Sequence, residues 1–167
     1  DGSNNEYKLK NISYSIVNSP RNTFSNILRK LFQPPKKIGI STNSYISKNT
    51  IFGENTYVGD FTKISNEVII GNNCQIGDNC VINGPAEIGN NTEILPGAVI
   101  GHDSLGVTIE DEVPKIFPQI GGVKIGKNCR IGVNASISKA TLDLTEVGDN
   151  VMIGDYAHIG HNSKINE

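Results

Sequence analysis

The chain has no tryptophan, one methionine and only 6% aromatic residues. A core of large rings is excluded, and small or β-branched side chains must fill the interior. No apolar run approaches the roughly 18 residues that cross a bilayer, and no charged, then apolar, then small-residue pattern marks a signal peptide. With a net charge of −2 and a pI near 5.9 the chain carries no basic footprint for nucleic acid or a membrane surface. Three cysteines cannot all pair within one chain, and their spacing is not that of a zinc site. Their usage points to a reducing compartment, the cytoplasm, and to no bound metal. The chain opens on Asp rather than Met, as expected of a processed product or an excised piece. What it has in excess is glycine, at 18 residues, with many Asn and Ile. Its 167 residues suffice for one domain with a real core and a small appendage.

A period of six organises most of that length. Large apolar residues recur at every sixth place from Ile40 to Ile100, resume at Ile125, Ile131 and Ile137, and return at Val147, Ile153, Ile159 and Ile165, making eighteen positions. Glycine most often follows the apolar residue, where a chain turning a corner can exploit its freedom in φ. A small residue stands four places after it, and Cys74, Cys80 and Cys129 all fall in this class, as inward fillers of a narrow coil. Helices repeat at three and four residues and simple strands at two, so neither fits. The pattern resembles the hexapeptide repeat of an all-β fold, the left-handed parallel β-helix, in which three hexads close one triangular coil. Eighteen hexads predict about six coils stacked about 4.8 Å apart.

Residues 1–37 lie outside the period and read as a short appendage, with residues 38–167 as the β-helix domain. Ser19-Pro20 starts a helix over about 20–32, Phe24, Ile27, Leu28, Leu31 and Phe32 form its apolar stripe, and Pro34-Pro35 ends it. A short strand is expected over 11–17. Two breaks interrupt the hexads, the insertion 106–124 and the segment 143–146, and both leave from the second hexad of a coil. A loop as long as the first, in an otherwise minimal coil, is as a rule functional or disordered. Counted along the hexads, His102, Lys139 and His161 fall in one column on successive coils, with His102 and His161 roughly 10 Å apart. His158 lies one strand away. A column of His, Lys and His beside a projecting loop suits an anionic ligand such as a pyrophosphate or a phosphopantetheine arm.

The stretches His102-Asp-Ser-Leu-Gly106, Lys115-Ile-Phe-Pro-Gln-Ile-Gly-Gly-Val123, Ile137-Ser-Lys-Ala-Thr-Leu-Asp-Leu-Thr-Glu-Val-Gly148 and His158-Ile-Gly-His-Asn162 resemble the UDP-3-O-acylglucosamine N-acyltransferases of lipid A biosynthesis. Residues 17–27 are similar to the segment joining that family's amino-terminal domain to its β-helix. The resemblance implies a homotrimer with active sites between subunits, in the cytoplasm of a Gram-negative bacterium. It implies transfer of a 3-hydroxyacyl group from the phosphopantetheine thioester of acyl carrier protein to the amine of a UDP-glucosamine derivative. By the same resemblance His161 is the general base; imidazole accepts a proton near neutral pH with little adjustment. His102, Asp103, Lys139, Asp155 and His158 are the expected substrate-binding residues.

Some positions depart from the family's pattern. Gly154-Asp155 stands where the family has Asp-Asn, and Ser138-Lys139-Ala140 where it has Asp-Arg-Gly, turning a bidentate anion contact into a point charge. Most of the uridine-binding domain and the later coils have no counterpart, as expected of a fragment or a shortened relative. Two alternatives follow: an acetyl-CoA-dependent amino-sugar acetyltransferase for surface polysaccharide, and an inactive trimeric scaffold. The spacing of the three histidines does not match the zinc site of the γ-class carbonic anhydrases.

Overall fold

The computed structural model describes residues 15–166 and divides into two units, Asp1–Pro35 and Lys36–Glu167. In the first, helix α1 runs Pro20–Phe32. Pro20 sits in its first turn, where the missing N–H has no helical partner to lose. Ser19 holds the N-cap position without a side-chain capping bond, and its carbonyl accepts from the Thr23 amide at 2.9 Å. Arg29 and Lys30 occupy the last turn, at the negative end of the helix dipole. No residue of α1 is buried, and Phe24, Leu31 and Phe32 are exposed. Of the strand expected over 11–17, residues 11–14 lie outside the described residues and 15–17 form no strand.

The second unit is a left-handed parallel β-helix. Three parallel sheets of six strands each form its walls, and each coil gives one strand to each sheet, so the unit has six coils. The second sheet, which carries the candidate site, contains Tyr45–Ile46, Lys63–Ile64, Val81–Ile82, Val99–His102, Ser136–Ser138 and His158–Ile159. The hexad residues stack in register, Ile64 on Ile82, Ile82 on Ile100, Ile100 on Ile137 and Ile137 on Ile159. Ile64 through Ile137 of this stack are fully buried, each contributing about 1.5–3 kcal/mol by removal from water.

One inner corner alternates threonine and cysteine. The Thr56 and Thr92 hydroxyls donate to the carbonyls of Gly71 and Gly126, and the Cys74 and Cys129 thiols donate to those of Gly89 and Gly148. In turn Thr56 Oγ1 accepts from the Cys74 amide and Thr92 Oγ1 from the Cys129 amide. The thiols thus stand in for hydroxyls, and burial pushes all three above the ordinary cysteine range.

The structure corrects the reason for the glycines. Among those that follow a hexad residue, only Gly101 has a positive φ. Gly53, Gly59, Gly71, Gly77, Gly89, Gly126 and Gly132 answer to space: a Cβ on Gly132 would lie 2.4 Å from the Asp155 amide nitrogen of the next coil, whereas one on Gly154 would meet nothing within 4 Å. The left-handed residue comes two places later and is usually asparagine, with φ of 55 to 60° at Asn55, Asn73, Asn91, Asn128 and Asn150. Asparagine enters this region more readily than most residues.

Candidate active site

Both breaks in the repeat leave from the second sheet and are hydrogen-bonded to each other. The insertion is not an irregular loop but an antiparallel hairpin, Val107–Glu110 against Val113–Ile116. Asp111 and Glu112 take positive φ at its tip, as a tight hairpin turn requires, but without the Asn-Gly or Asp-Gly pair that usually announces one. Its returning arm is pinned to the second break. Ile120 and Gly121 donate to the Thr141 and Ala140 carbonyls, and Gly122 donates to that of Asp143. Gly121 has no room for a side chain, since a Cβ would stand 2.3 Å from the Asp143 carbonyl oxygen.

His102 is placed by a bulge. Gly101, at φ 77°, is the extra residue between the pairs Ile100↔Ile137 and His102↔Ser138, so His102 faces Ser138 rather than Lys139. That one residue breaks the column expected of His102, Lys139 and His161. His102 Nε2 lies 3.4 Å from Ser138 Oγ, and its ring is 5.8 Å from that of His158. His158 Nδ1 is 2.8 Å from Ser136 Oγ. Lys139 turns to Asp103, Nζ to Oδ1 at 2.7 Å, with the lysine side chain only 20% exposed. Its charge is therefore already balanced.

His161 belongs to a separate network. Its Nδ1 lies 3.1 Å from Thr141 Oγ1 and 2.8 Å from Asn162 Nδ2, while Nε2 makes no hydrogen bond among the described residues. Asn162 is fixed from both sides: Oδ1 accepts from the Thr141 amide at 3.0 Å, and its own amide donates to Thr145 Oγ1 at 3.0 Å. Thr141 Oγ1 donates to Oε1 of Gln119, at 3.1 Å.

Asp155 is not part of this group. Its Oδ1 accepts from the Val133 amide at 2.7 Å, just as Asp78 Oδ1 accepts from the Asp60 amide and Asp149 Oδ1 from the Lys127 amide. Asp155 thus acts as a corner cap between coils through Oδ1, apart from the His161 network. Sequence reading missed Ser136, Ser138, Thr141 and Gln119 as site residues. Thr141 was hidden among the small inward residues, and only its place at the edge of the second break sets it apart.

Comparison with known proteins extends the repeat to a named family. Residues 67–102 match the bacterial transferase hexapeptide (six repeats), and residues 122–154 match the hexapeptide repeat of succinyl-transferase. In these two stretches the coils are similar to bacterial transferase hexapeptide repeats. Over 78 residues the chain is 40% identical to a UDP-3-O-acylglucosamine N-acyltransferase of Shewanella denitrificans, covering 47% of this chain and 23% of that protein. Over 80 residues it is 38% identical to the Pseudomonas syringae protein of the same name, covering 48% and 23%. The hexapeptide fold superposes on a Francisella novicida UDP-N-acetylglucosamine acyltransferase with a TM-score of 0.69 at 30% identity, over 77% of this chain and 46% of that one. The Bacteroides fragilis counterpart gives 0.68 at 31% identity, over 77% and 49%. The chain thus spans less than half the length of these relatives. Among the described residues no helix is long and apolar enough to cross a membrane, and no group of three or more His, Cys, Asp or Glu could hold a metal ion.

Proposed function

We propose that the chain is the hexapeptide-repeat part of a lipid A N-acyltransferase, moving a 3-hydroxyacyl group from acyl carrier protein to the amine of a UDP-glucosamine derivative, with His161 as general base. One observation carries the assignment of the base: Nδ1 of His161 is held by Thr141 and Asn162 while Nε2 is left open. The acceptor amine forms its bond to the thioester carbonyl carbon and gives its proton to His161 Nε2. The carbon–sulfur bond breaks, and the imidazolium returns that proton to the departing phosphopantetheine thiolate.

His102 and His158 lie on the second wall and Lys139 directly follows its strand Ser136–Ser138, where the three are suited to line the approach of the donor arm or the nucleotide. Lys139 must leave Asp103, or share it, to contact a phosphate. A homotrimer fits the outward face of the second sheet, which carries the valines Val81 and Val99 and no charge beyond Lys63.

His161→Ala should lower acyl transfer from 3-hydroxyacyl carrier protein by about a hundredfold or more, with circular dichroism and assembly unchanged. Undiminished turnover would remove His161 from the mechanism. Turnover with acetyl-CoA and none with acyl carrier protein would reassign the donor.

A further inference from the structure

We propose that Gln119 is a positioning residue that sets the tautomer of His161 through the Thr141 hydroxyl. The inference rests on the reading of His161 as a base and adds to it a residue that the insertion brings back from its hairpin. Gln119 stands out in its segment. It is 6% exposed, whereas its neighbours Phe117 and Ile120 are 44% and 69% exposed. A buried amide must be satisfied, and its partners show which way it points.

Nε2 of Gln119 donates to the Phe117 carbonyl at 3.4 Å, which leaves Oε1 facing Thr141 Oγ1 at 3.1 Å. A hydroxyl has one proton and two lone pairs, and an amide oxygen can only accept. The Thr141 proton is therefore committed to Gln119. Both lone pairs remain for donors, and two candidate donors are in reach: Asn162 Nδ2 at 3.3 Å and His161 Nδ1 at 3.1 Å. An imidazole that donates from Nδ1 is bare at Nε2, the form that can accept a proton from an attacking amine.

Asn162 supplies the opposing pull. Its amide is oriented by the Thr141 N–H on Oδ1, so Nδ2 points toward His161 Nδ1 at 2.8 Å. If that amide hydrogen is given to Nδ1, the imidazole proton moves to Nε2 and the base is blocked. The Thr141 hydroxyl decides between these states. With Gln119 holding its proton, Thr141 accepts from Nδ1. Without Gln119, the hydroxyl turns and donates to Nδ1 together with Asn162, and both contacts favour the Nε2–H form.

The test is spectroscopic and does not depend on turnover. With the chain labelled with 15N-histidine, long-range proton–nitrogen correlations above the imidazole titration range identify the His161 tautomer, assigned by loss of its signals in His161→Gln. The expected result is Nδ1–H in the wild type and in Gln119→Glu, which keeps the accepting oxygen, and Nε2–H in Gln119→Met. Thr141→Ala should also give Nε2–H and Thr141→Ser the wild-type form, so the relay is tested even if Gln119→Met fails to fold. A wild-type Nε2–H form, or no change in the Thr141→Ala and folded Gln119→Met variants, overturns the proposal. In the acyl-transfer assay Gln119→Met should lower kcat roughly tenfold or more at unchanged KM, since a wrong tautomer disables a base without displacing it. If tautomers respond as expected while His161→Ala retains turnover, the relay stands and the assignment of the base falls.

Discussion

The second and third sheets share one interior and present opposite exteriors. Inward, both stack hexad residues that are buried to the same degree, Ile64, Ile82, Ile100 and Ile137 in one and Ile70, Ile88, Ile125 and Val147 in the other. Outward, the third sheet runs Ile51, Ile69, Glu87, Lys124, Glu146, Lys164, with Lys124 3.9 Å from Glu87 and Lys164 2.9 Å from Glu146. That is a solvated wall with alternating charge. The second sheet runs Tyr45, Lys63, Val81, Val99, Ser136, His158, and its later coils carry no permanent charge on the wall itself. The repeat builds a wall without dictating its use, and the use lies in the outward column and the breaks.

The largest expected effect tests whether the second wall is the seam between subunits. Val81→Glu with Val99→Glu puts two like charges on the half-buried stripe of each copy, which should shift sedimentation from trimer to monomer. Ile69→Glu on the third wall should leave the sedimenting mass unchanged. A double variant that still sediments as a trimer would move the seam elsewhere, and Val81→Gln with Val99→Gln separates charge from lost packing.

A smaller effect probes why the candidate site occurs on one wall only. Gly101 has φ 77°, and a Cβ there would lie 2.1 Å from the Asn83 carbonyl oxygen. Gly101→Ala should cost about 2–3 kcal/mol in denaturant unfolding. It should also abolish the His102 to His158 ring contact in a crystal structure of the variant, because the bulge that turns His102 toward Ser138 cannot form. A cost near that of an ordinary surface glycine, with the ring contact kept, would mean that the bulge does not position His102.

The same glycine marks where sequence reading stopped. Eighteen apolar residues at a fixed interval state the coil, its six repeats and the exit of both breaks from one corner, because each position answers to the same steric demand. A column counted by hexads assumes every residue advances the chain equally, and one bulge defeats it. His102 meets His158 for that reason, not Lys139 and His161. Asp155, singled out by resemblance, is one of a series of corner caps with Asp78 and Asp149, each two places after a hexad residue. Gln119 and Thr141 lie 22 residues apart, and only the backbone bonds that seat the hairpin's return on the second break bring them together.

The smallest expected effect belongs to the charged wall. Glu146 holds the Lys164 ammonium above the ordinary lysine range, first through the hydrogen bond to its carboxylate and then through its charge. A raised pKa in the folded state means stability that is fully present below the unfolded value of about 10.4 and lost as pH rises through the folded one. Lys164→Met should therefore lower Tm slightly at about pH 8, and the difference from wild type should vanish as pH climbs past the lysine range. Salt at about 1 M should erase the same difference at pH 8, because the pair is open to solvent. A difference that persists at high pH and high salt would show that the lysine's methylene stem, packed along the wall, supplies the stability rather than its charge. The third wall would then resemble the second more closely than its alternating signs suggest.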